Sequence, residues 1–309
     1  MEPVLALDIG GTKIACGIVS GGAVHHVTSA STPAREGGSV VLDAATELAR
    51  TVLHAQAKAG GSAPVRVGVS SAGVVDPTSG CITSATELIR GWAGTDLRGA
   101  LADRFELPVS VLNDVQAHAL GEAAHGRGRG ASSMVLIAVG TGIGGGIVMD
   151  GALQLGAKNA AGHLGHVDVE GVAGMPCSCG KTGHLETIAS GSGIEAQFER
   201  ATGKQLSGAK IAQLADTDAS FSSEAARVIE AGGYALGRVV GGLLNTLDPE
   251  LVVLAGSVTR AGNRWWEAVS TGVQRSAIDI VAETPVVPGL LANAALIGAA
   301  VHGVGKELA

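Results

Sequence analysis

Aromatic residues are scarce in this chain: three Trp, three Phe and one Tyr make up 2% of 309 positions. The 46% of residues that are hydrophobic must therefore build a core from Val, Leu, Ile and Ala. Positive charge is also short, with 21 Lys and Arg against 28 Asp and Glu and a formal net charge of −7. The basic residues are scattered, which argues against a nucleic-acid surface. Small anionic ligands stay eligible, because backbone amides bind them without Lys or Arg. No uninterrupted apolar run reaches the roughly 18 residues of a membrane span. No basic leader with an apolar core and cleavage site precedes the first apolar strand, so the expected compartment is the cytoplasm. Cysteines number only four, too few for a disulfide scaffold of this length. Glycine is the abundance. Its 48 copies follow no short period, which excludes collagen-like and low-complexity readings. The length suits one large or two medium domains.

The glycines collect at strand ends. Val4 to Ile9 reads as a strand running into Asp8-Ile-Gly-Gly-Thr-Lys13, with strands Ile14 to Ser20 and Ala23 to Ser29 after it. Strand follows turn here, whereas the Walker loop and the dinucleotide fingerprint need a helix after their glycines. Gly10 and Gly11 let backbone approach a phosphate, and Thr12 and Lys13 add donors. Asp8 is anionic, so it suits a phosphate only through Mg2+ or its waters. Ser133 to Val139 leads into a second such turn, Gly140-Thr-Gly-Ile-Gly-Gly-Gly146, which includes Thr141, Gly142 and Gly144 and precedes strand Ile147 to Met149. Two glycine hairpins, each followed by mixed α/β sequence, suggest an architecture built twice and a polyphosphate held from both. A further strand, Leu251 to Ala255, ends on Gly256-Ser257, where an adenine or ribose can lie against backbone.

Between the hairpins lies Val111-Leu-Asn-Asp-Val115. Pro108 to Leu112 reads as a buried strand ending on Asn113 and Asp114, with a helix after it. Open α/β folds place their ligands at the carboxyl ends of strands. Asp114 is therefore a candidate general base toward a substrate hydroxyl, with Asn113 beside it as donor and acceptor. The competing reading is that Asp114 only caps the helix. Helices are also predicted over Ser39 to Ala59, capped by Ser39, and over Thr95 to Phe105, capped by Thr95. In the second half they are predicted over Ser192 to Ala201, Ser220 to Leu247, Asn263 to Ser276 and Asn293 to Val304. The pairs Gly232-Gly233 and Gly241-Gly242 predict close helix packing, and Trp265-Trp266 reads as core or interface.

Ala160-Ala-Gly-His-Leu-Gly-His166 is followed by Cys177-Ser-Cys-Gly-Lys-Thr-Gly-His184 and Leu185-Glu186. His166, Cys177, Cys179 and His184 offer two thiolates and two imidazoles, a set that can close a tetrahedral structural Zn2+ site. The other reading is an unliganded loop. A closed site would pin the loop and fix His163 and Glu186.

Taken together, Asp8-x-Gly-Gly-Thr-Lys13, Gly68-Val-Ser-x-Ala-Gly-Val-Val-Asp76, Asn113-Asp114, Gly140-Thr-Gly-x-Gly-Gly-Gly146, Gly165-His166 and Cys177-x-Cys-Gly-x-x-Gly183 resemble the ROK family of bacterial sugar kinases and sugar-responsive repressors. The resemblance covers essentially the whole chain. It implies an α/β, two-lobed actin-like ATPase (ribonuclease H-like) fold with a cleft between duplicated domains. The smaller lobe would be 1–113 plus 294–309, and the larger one 114–293 with the zinc loop. It implies a kinase acting on the 6-hydroxyl of a hexose, with Asp114 as base. Gly73, Asn113, His163, His166 and Glu186 would hold the sugar. Asp8, Gly10, Gly11, Thr12, Lys13, Gly140, Thr141, Gly142, Gly144 and Gly256 would hold ATP and Mg2+. His166, Cys177, Cys179 and His184 would ligate zinc, and a homodimer is the common assembly.

The sequence departs from the family pattern at His184, where Cys is usual, and at His163, where a Glu usually faces the anomeric side of the sugar. Imidazole changes the donor count there, which opens N-acylated hexosamines, N-acetylmannosamine among them, as substrates. A cyclitol is a further alternative. The repressor branch carries a DNA-binding domain ahead of the first glycine motif. Here Asp8 starts that motif, so the kinase branch is expected.

Overall fold

The computed structural model describes residues 2–217 and 219–302. In chain order the elements begin β1 (Val4–Ile9), β2 (Lys13–Ser20), β3 (Ala23–Ser31), α1 (Gly38–Lys58), β4 (Val67–Ser71), β5 (Val74–Asp76), β6 (Cys81–Ser84), α2 (Leu97–Phe105), β7 (Val109–Asn113) and α3 (Asp114–His125). They continue with β8 (Met134–Val139), β9 (Ile143–Met149), β10 (Ala152–Leu153), α4 (Glu186–Ala189), α5 (Gly191–Thr202), α6 (Gly208–Ala215), α7 (Ser222–Leu247), β11 (Leu251–Ala255), α8 (Asn263–Ser276), β12 (Val286–Pro288) and α9 (Ala294–Val301). Two compact units result: one of 1–133, 146–162 and 290–309, the other of 134–145 and 163–289.

The first sheet has the order β3-β2-β1-β4-β7 and the second the order β10-β9-β8-β11-β12. In the first, β2 runs antiparallel to β1 after the glycine turn and β4 and β7 extend the other side in parallel; in the second, β11 runs parallel to both β8 and β12, and β10 pairs antiparallel with β9. The same order appears twice, as the paired hairpins predict. The residues of β1 and β8 are nearly all buried, which is why β8 reads as an unbroken apolar run and β1 as one broken only by Asp8.

In the first unit α1 lays Val41, Leu42, Ala45, Ala49 and Val52 onto a core shared with Leu5, Leu7, Ile14 and Ile18. Helix α9 packs on α3, β1 and β4. Glycines make that approach possible: a Cβ at Gly68, Gly121 or Gly298 would overlap the carbonyl oxygens of Ala299, Ala294 and Ala117 respectively. Because α3 packs on α9, it groups with the first unit, and the contact boundary falls after Ser133 instead of after Asn113. The fully buried Glu122 of α3 accepts backbone N–H bonds from Arg127, Leu290 and Leu291, and so ties two chain segments to one helix.

In the second unit α7 and α8 pack closely, again on glycine. A Cβ at Gly233 would meet the Trp265 carbonyl at 2.6 Å, and one at Gly237 would overlap that of Val269. Gly242 faces open space, so only part of the predicted glycine pairing serves packing. Trp265 is fully buried as core, with Trp266 edge-on to it at 5.0 Å.

Several local expectations change. The cap of α2 is Asp96, which accepts from Gly99 N at 2.9 Å, and not Thr95. Helix α1 starts after Gly37 with no side-chain cap, so Ser39 does not play that part. The hairpin β5–β6 and helix α6 are additional elements, both too short to show a period. The closing helix ends at Val301, and positions 303 and 304 of the predicted span lie outside the described residues.

Candidate active site

Three parallel strands of the first sheet end level with one another. Register pairs Asp8 with Ser70 and Ile9 with Ser71 across β1 and β4, and Ser70 with Leu112 and Ser71 with Asn113 across β4 and β7. Polar residues thus cluster at the carboxyl edge of an otherwise apolar sheet. Ser70 Oγ donates to Asp8 Oδ1 at 2.6 Å. Burial pushes the Asp8 carboxyl up from its ordinary range, opposed by the Ser70 bond and by Lys13.

At the end of β7, Asn113 is the residue that caps α3. Its Oδ1 accepts from Val115 N at 3.0 Å and Gln116 N at 3.1 Å. Its Nδ2 donates to Gly73 O at 2.9 Å and to Asp114 Oδ1 at 2.8 Å. Both lone pairs and both hydrogens of the amide are in use. Asp114 also accepts from Val115 N, at 2.9 Å. With Asn113 in the cap position, the carboxyl of Asp114 is set by the amide beside it. Its pKa is raised to about 7, first by burial and then by repulsion from Asp8. A strand-end carboxyl poised near neutrality has the character of a general base. Gly73 sits at φ 96, and a Cβ there would meet Ser84 O at 2.8 Å. The indole of buried Trp92 donates to Ser71 Oγ and Ala72 O, bracing the start of this loop. Sequence reasoning missed Trp92, although its being the sole Trp before residue 265 was a signal.

The first glycine turn closes through Gly10 N to Lys13 O at 3.0 Å, and Thr32 Oγ1 donates to Gly10 O at 2.7 Å. Gly11 and Thr12 complete the turn, and Lys13 already belongs to β2. The second turn is shorter than its glycines suggest. Strand β9 starts at Ile143, so Gly144 belongs to the strand, and Gly140, Thr141 and Gly142 make the turn. The turn is tied to the start of α5, with Gly191 N donating to Gly140 O and Ser192 Oγ to Thr141 O. Glu186 Oε2 accepts from Ile143 N at 2.9 Å, and a Cβ at Gly142 would meet that oxygen at 2.5 Å. Gly256 has φ 93, and a Cβ there would overlap Val139 O.

A cavity of about 460 Å³ lies wholly within the second unit. Thr141, Ser192, Glu195, Gln213, Ser257 and Arg260 are among its lining residues. Its volume is large enough for a nucleoside. The wall from α6 was invisible in the sequence because that helix was.

His166, Cys177, Cys179 and His184 come together, their ligand atoms all within 4.8 Å of one another. Cys177 Sγ is 3.5 Å from His166 Nδ1, and Cys179 Sγ is 3.3 Å from His184 Nδ1. Two thiols and two imidazoles at this spacing fit a soft tetrahedral ion such as zinc. Burial lowers the pKa of His166, which favours the neutral ring that binds metals. Glu186 Oε1 accepts from Ser178 Oγ at 2.6 Å, so the loop between the two cysteines holds this carboxylate. His163 stacks near His166, ring centroids 6.3 Å apart.

The ROK family profile matches residues 4–302. The chain belongs to the ROK family. A ROK relative, the glucokinase of Halalkalibacterium halodurans, is 32% identical over 294 residues, covering 90% of this chain and 87% of its own. The N-acetylmannosamine kinase of Vibrio cholerae is 32% identical over 254 residues, covering 82% and 83%. The crystal structure of a ROK glucokinase from Streptomyces griseus in complex with glucose and AMPPNP has a TM-score of 0.80 at 27% identity, covering 96% of this chain and 98% of that one. The α/β fold matches that structure and is the actin-like ATPase class that the family resemblance implies.

Proposed function

We propose that the chain is an ATP-dependent sugar kinase that phosphorylates the 6-hydroxyl of a hexose, with Asp114 as general base. The glucokinase and N-acetylmannosamine kinase relatives support a sugar kinase of the ROK family. The observation that carries the finer reading is the Asp114 carboxyl, half-buried at the edge of the first sheet with its pKa raised to about 7. Asp114 accepts the proton of the sugar hydroxyl as the hydroxyl oxygen bonds to the γ-phosphorus and the bond from that phosphorus to the leaving ADP breaks. Asn113 orients Asp114, and its Nδ2 reaches a sugar hydroxyl by exchanging one of its present partners. Gly73 shapes the loop beside the sugar, and His163, His166 and Glu186 bind sugar hydroxyls. Bound ATP with Mg2+ supplies the phosphoryl group. Asp8 faces the Mg2+ or its waters. Gly10, Gly11, Thr12 and Lys13, together with Gly140, Thr141, Gly142 and Gly144, hold the phosphates, and Gly256 lies by the nucleoside. His166, Cys177, Cys179 and His184 hold a structural zinc that fixes the loop carrying Ser178. We further propose a cytoplasmic homodimer. Among the described residues no helix is long and apolar enough to cross a membrane.

A base must be unprotonated to act. On this reading kcat/KM rises with pH and levels off above about 7, the value to which Asp114 is raised. A coupled ADP-release assay across pH checks it, and a flat profile through neutrality removes Asp114 from the role.

His163 favours a second reading, an N-acyl hexosamine kinase. Its imidazole stands beside His166 and offers a donor as well as an acceptor, where a carboxylate only accepts. One assay panel of glucose, mannose, fructose, N-acetylglucosamine and N-acetylmannosamine separates the two. The hexose reading expects the highest kcat/KM with an unsubstituted sugar; the highest value with an N-acetyl sugar replaces it with the second.

A further inference from the structure

His184 and Asp168 form an isolated antiparallel bridge. Its flanking hydrogen bonds run from Val169 N to Gly183 O at 3.0 Å and from Leu185 N to Val167 O at 2.9 Å. That pattern makes the two residues a non-hydrogen-bonded pair, the kind whose side chains approach most closely and leave the ladder on one face. The side chains meet accordingly. His184 turns Nδ1 toward Cys179 Sγ and leaves Nε2 3.9 Å from Asp168 Oδ1. The imidazole is largely covered, with 13% of its side chain exposed, while the carboxylate is 89% exposed.

A histidine that ligates a metal through one nitrogen carries its proton on the other. An acceptor for that N–H fixes the tautomer and the ring plane and makes the ligating nitrogen more basic. A thiolate has no such second group. The family pattern usually has Cys at this position, which leaves nothing for a facing carboxylate to accept. In this chain the imidazole creates the need, and the bridge supplies a carboxylate opposite it.

We infer that Asp168 is the outer-sphere partner of His184: with the metal on Nδ1, its exposed carboxylate swings in from 3.9 Å to hydrogen-bond length and accepts the Nε2–H, and it is part of what makes a two-Cys, two-His set hold zinc here. This rests on the zinc reading above. Asp168 is a positioning residue that acts only through His184.

The test is a competition for Zn2+ against a chromophoric chelator, on the full-length protein and its variants. Asp168→Ala, which removes the acceptor, is expected to weaken zinc binding by about 10–100-fold, and Asp168→Glu to recover part of the loss. In a His184→Cys background, Asp168→Ala is expected to change zinc affinity by less than about twofold, because the N–H it serves is gone. Equal affinities of wild type and Asp168→Ala overturn the inference while leaving the zinc site intact. The same loss in both backgrounds also overturns it, by making Asp168 a general electrostatic or folding contribution. A wild-type protein that binds no zinc removes the metal reading itself, and the inference with it.

Discussion

Asp114→Asn is expected to lower kcat by about 10²–10⁴-fold, the usual contribution of a positioned base, while the sugar Kd stays close to that of the wild type. The amide is nearly isosteric with the carboxyl. Its oxygen can still accept from Val115 N and from Asn113 Nδ2, so the start of α3 keeps its geometry. What is lost is the capacity to take a proton. The same substitution has a second readout with a defined sign. In the folded protein Asp114 has a pKa of about 7, against an ordinary 3.8. Between those values the native state holds a proton that the unfolded chain has released. Stability contributed by this group is therefore present below about pH 4, declines as pH rises toward 7, and is gone above it. Asp114→Asn removes that decline, so the variant is expected to melt higher than wild type at pH 8 and to differ less at pH 5. Single-turnover rates and thermal melts at the two pH values check both halves. Near-wild-type turnover sinks the base assignment, and a melting difference independent of pH sinks the account of its pKa.

Gly298→Ala is expected to destabilise the protein by about 3 kcal/mol, at the upper end of the range for overpacking a core. On helix propensity alone the change would help by about 1 kcal/mol. Tertiary contact reverses the sign. The added methyl would overlap the carbonyl oxygen of Ala117, with Gly121 N 2.9 Å away, and both belong to the backbone of α3, which cannot rotate aside. Relief requires α9 to move off α3, and α9 also packs on β1 and β4. Gly242→Ala is the matched control. That glycine lies within α7 with nothing near the added carbon, so its substitution is expected to be neutral or stabilising. The urea midpoint should fall for Gly298→Ala and hold or rise for Gly242→Ala. A neutral Gly298→Ala shows that α9 can shift without cost.

Much of the architecture could be read from strand and turn chemistry. The apolar strands β1 and β8 declared themselves because their residues are nearly all buried, and the glycines after them marked the turns. What escaped was short. The β5–β6 hairpin and α6 span too few residues for a period to emerge, and α6 took part of the cavity wall with it. Site residues close together in sequence, such as Asn113 with Asp114 and Cys177 with Cys179, could be grouped at once. Their division of labour could not. Whether Asn113 or Asp114 caps α3 depends on side-chain rotamers that a spacing does not encode. The tie from Ser178 to Glu186, and the register that sets Asp168 opposite His184, are likewise facts of the folded loop.

The scarcity of indoles has a practical consequence. Trp92 is the lone one in the first unit, and its N–H is bound at Ser71 and Ala72, the residues just before the Gly73 whose carbonyl Asn113 holds. Trp265 and Trp266 belong to the second unit, packed edge to face. Replacing that pair by Phe leaves an emitter whose colour and quenching report from one known spot. Ligand titrations and stopped-flow traces can then be recorded optically, with no dye attached.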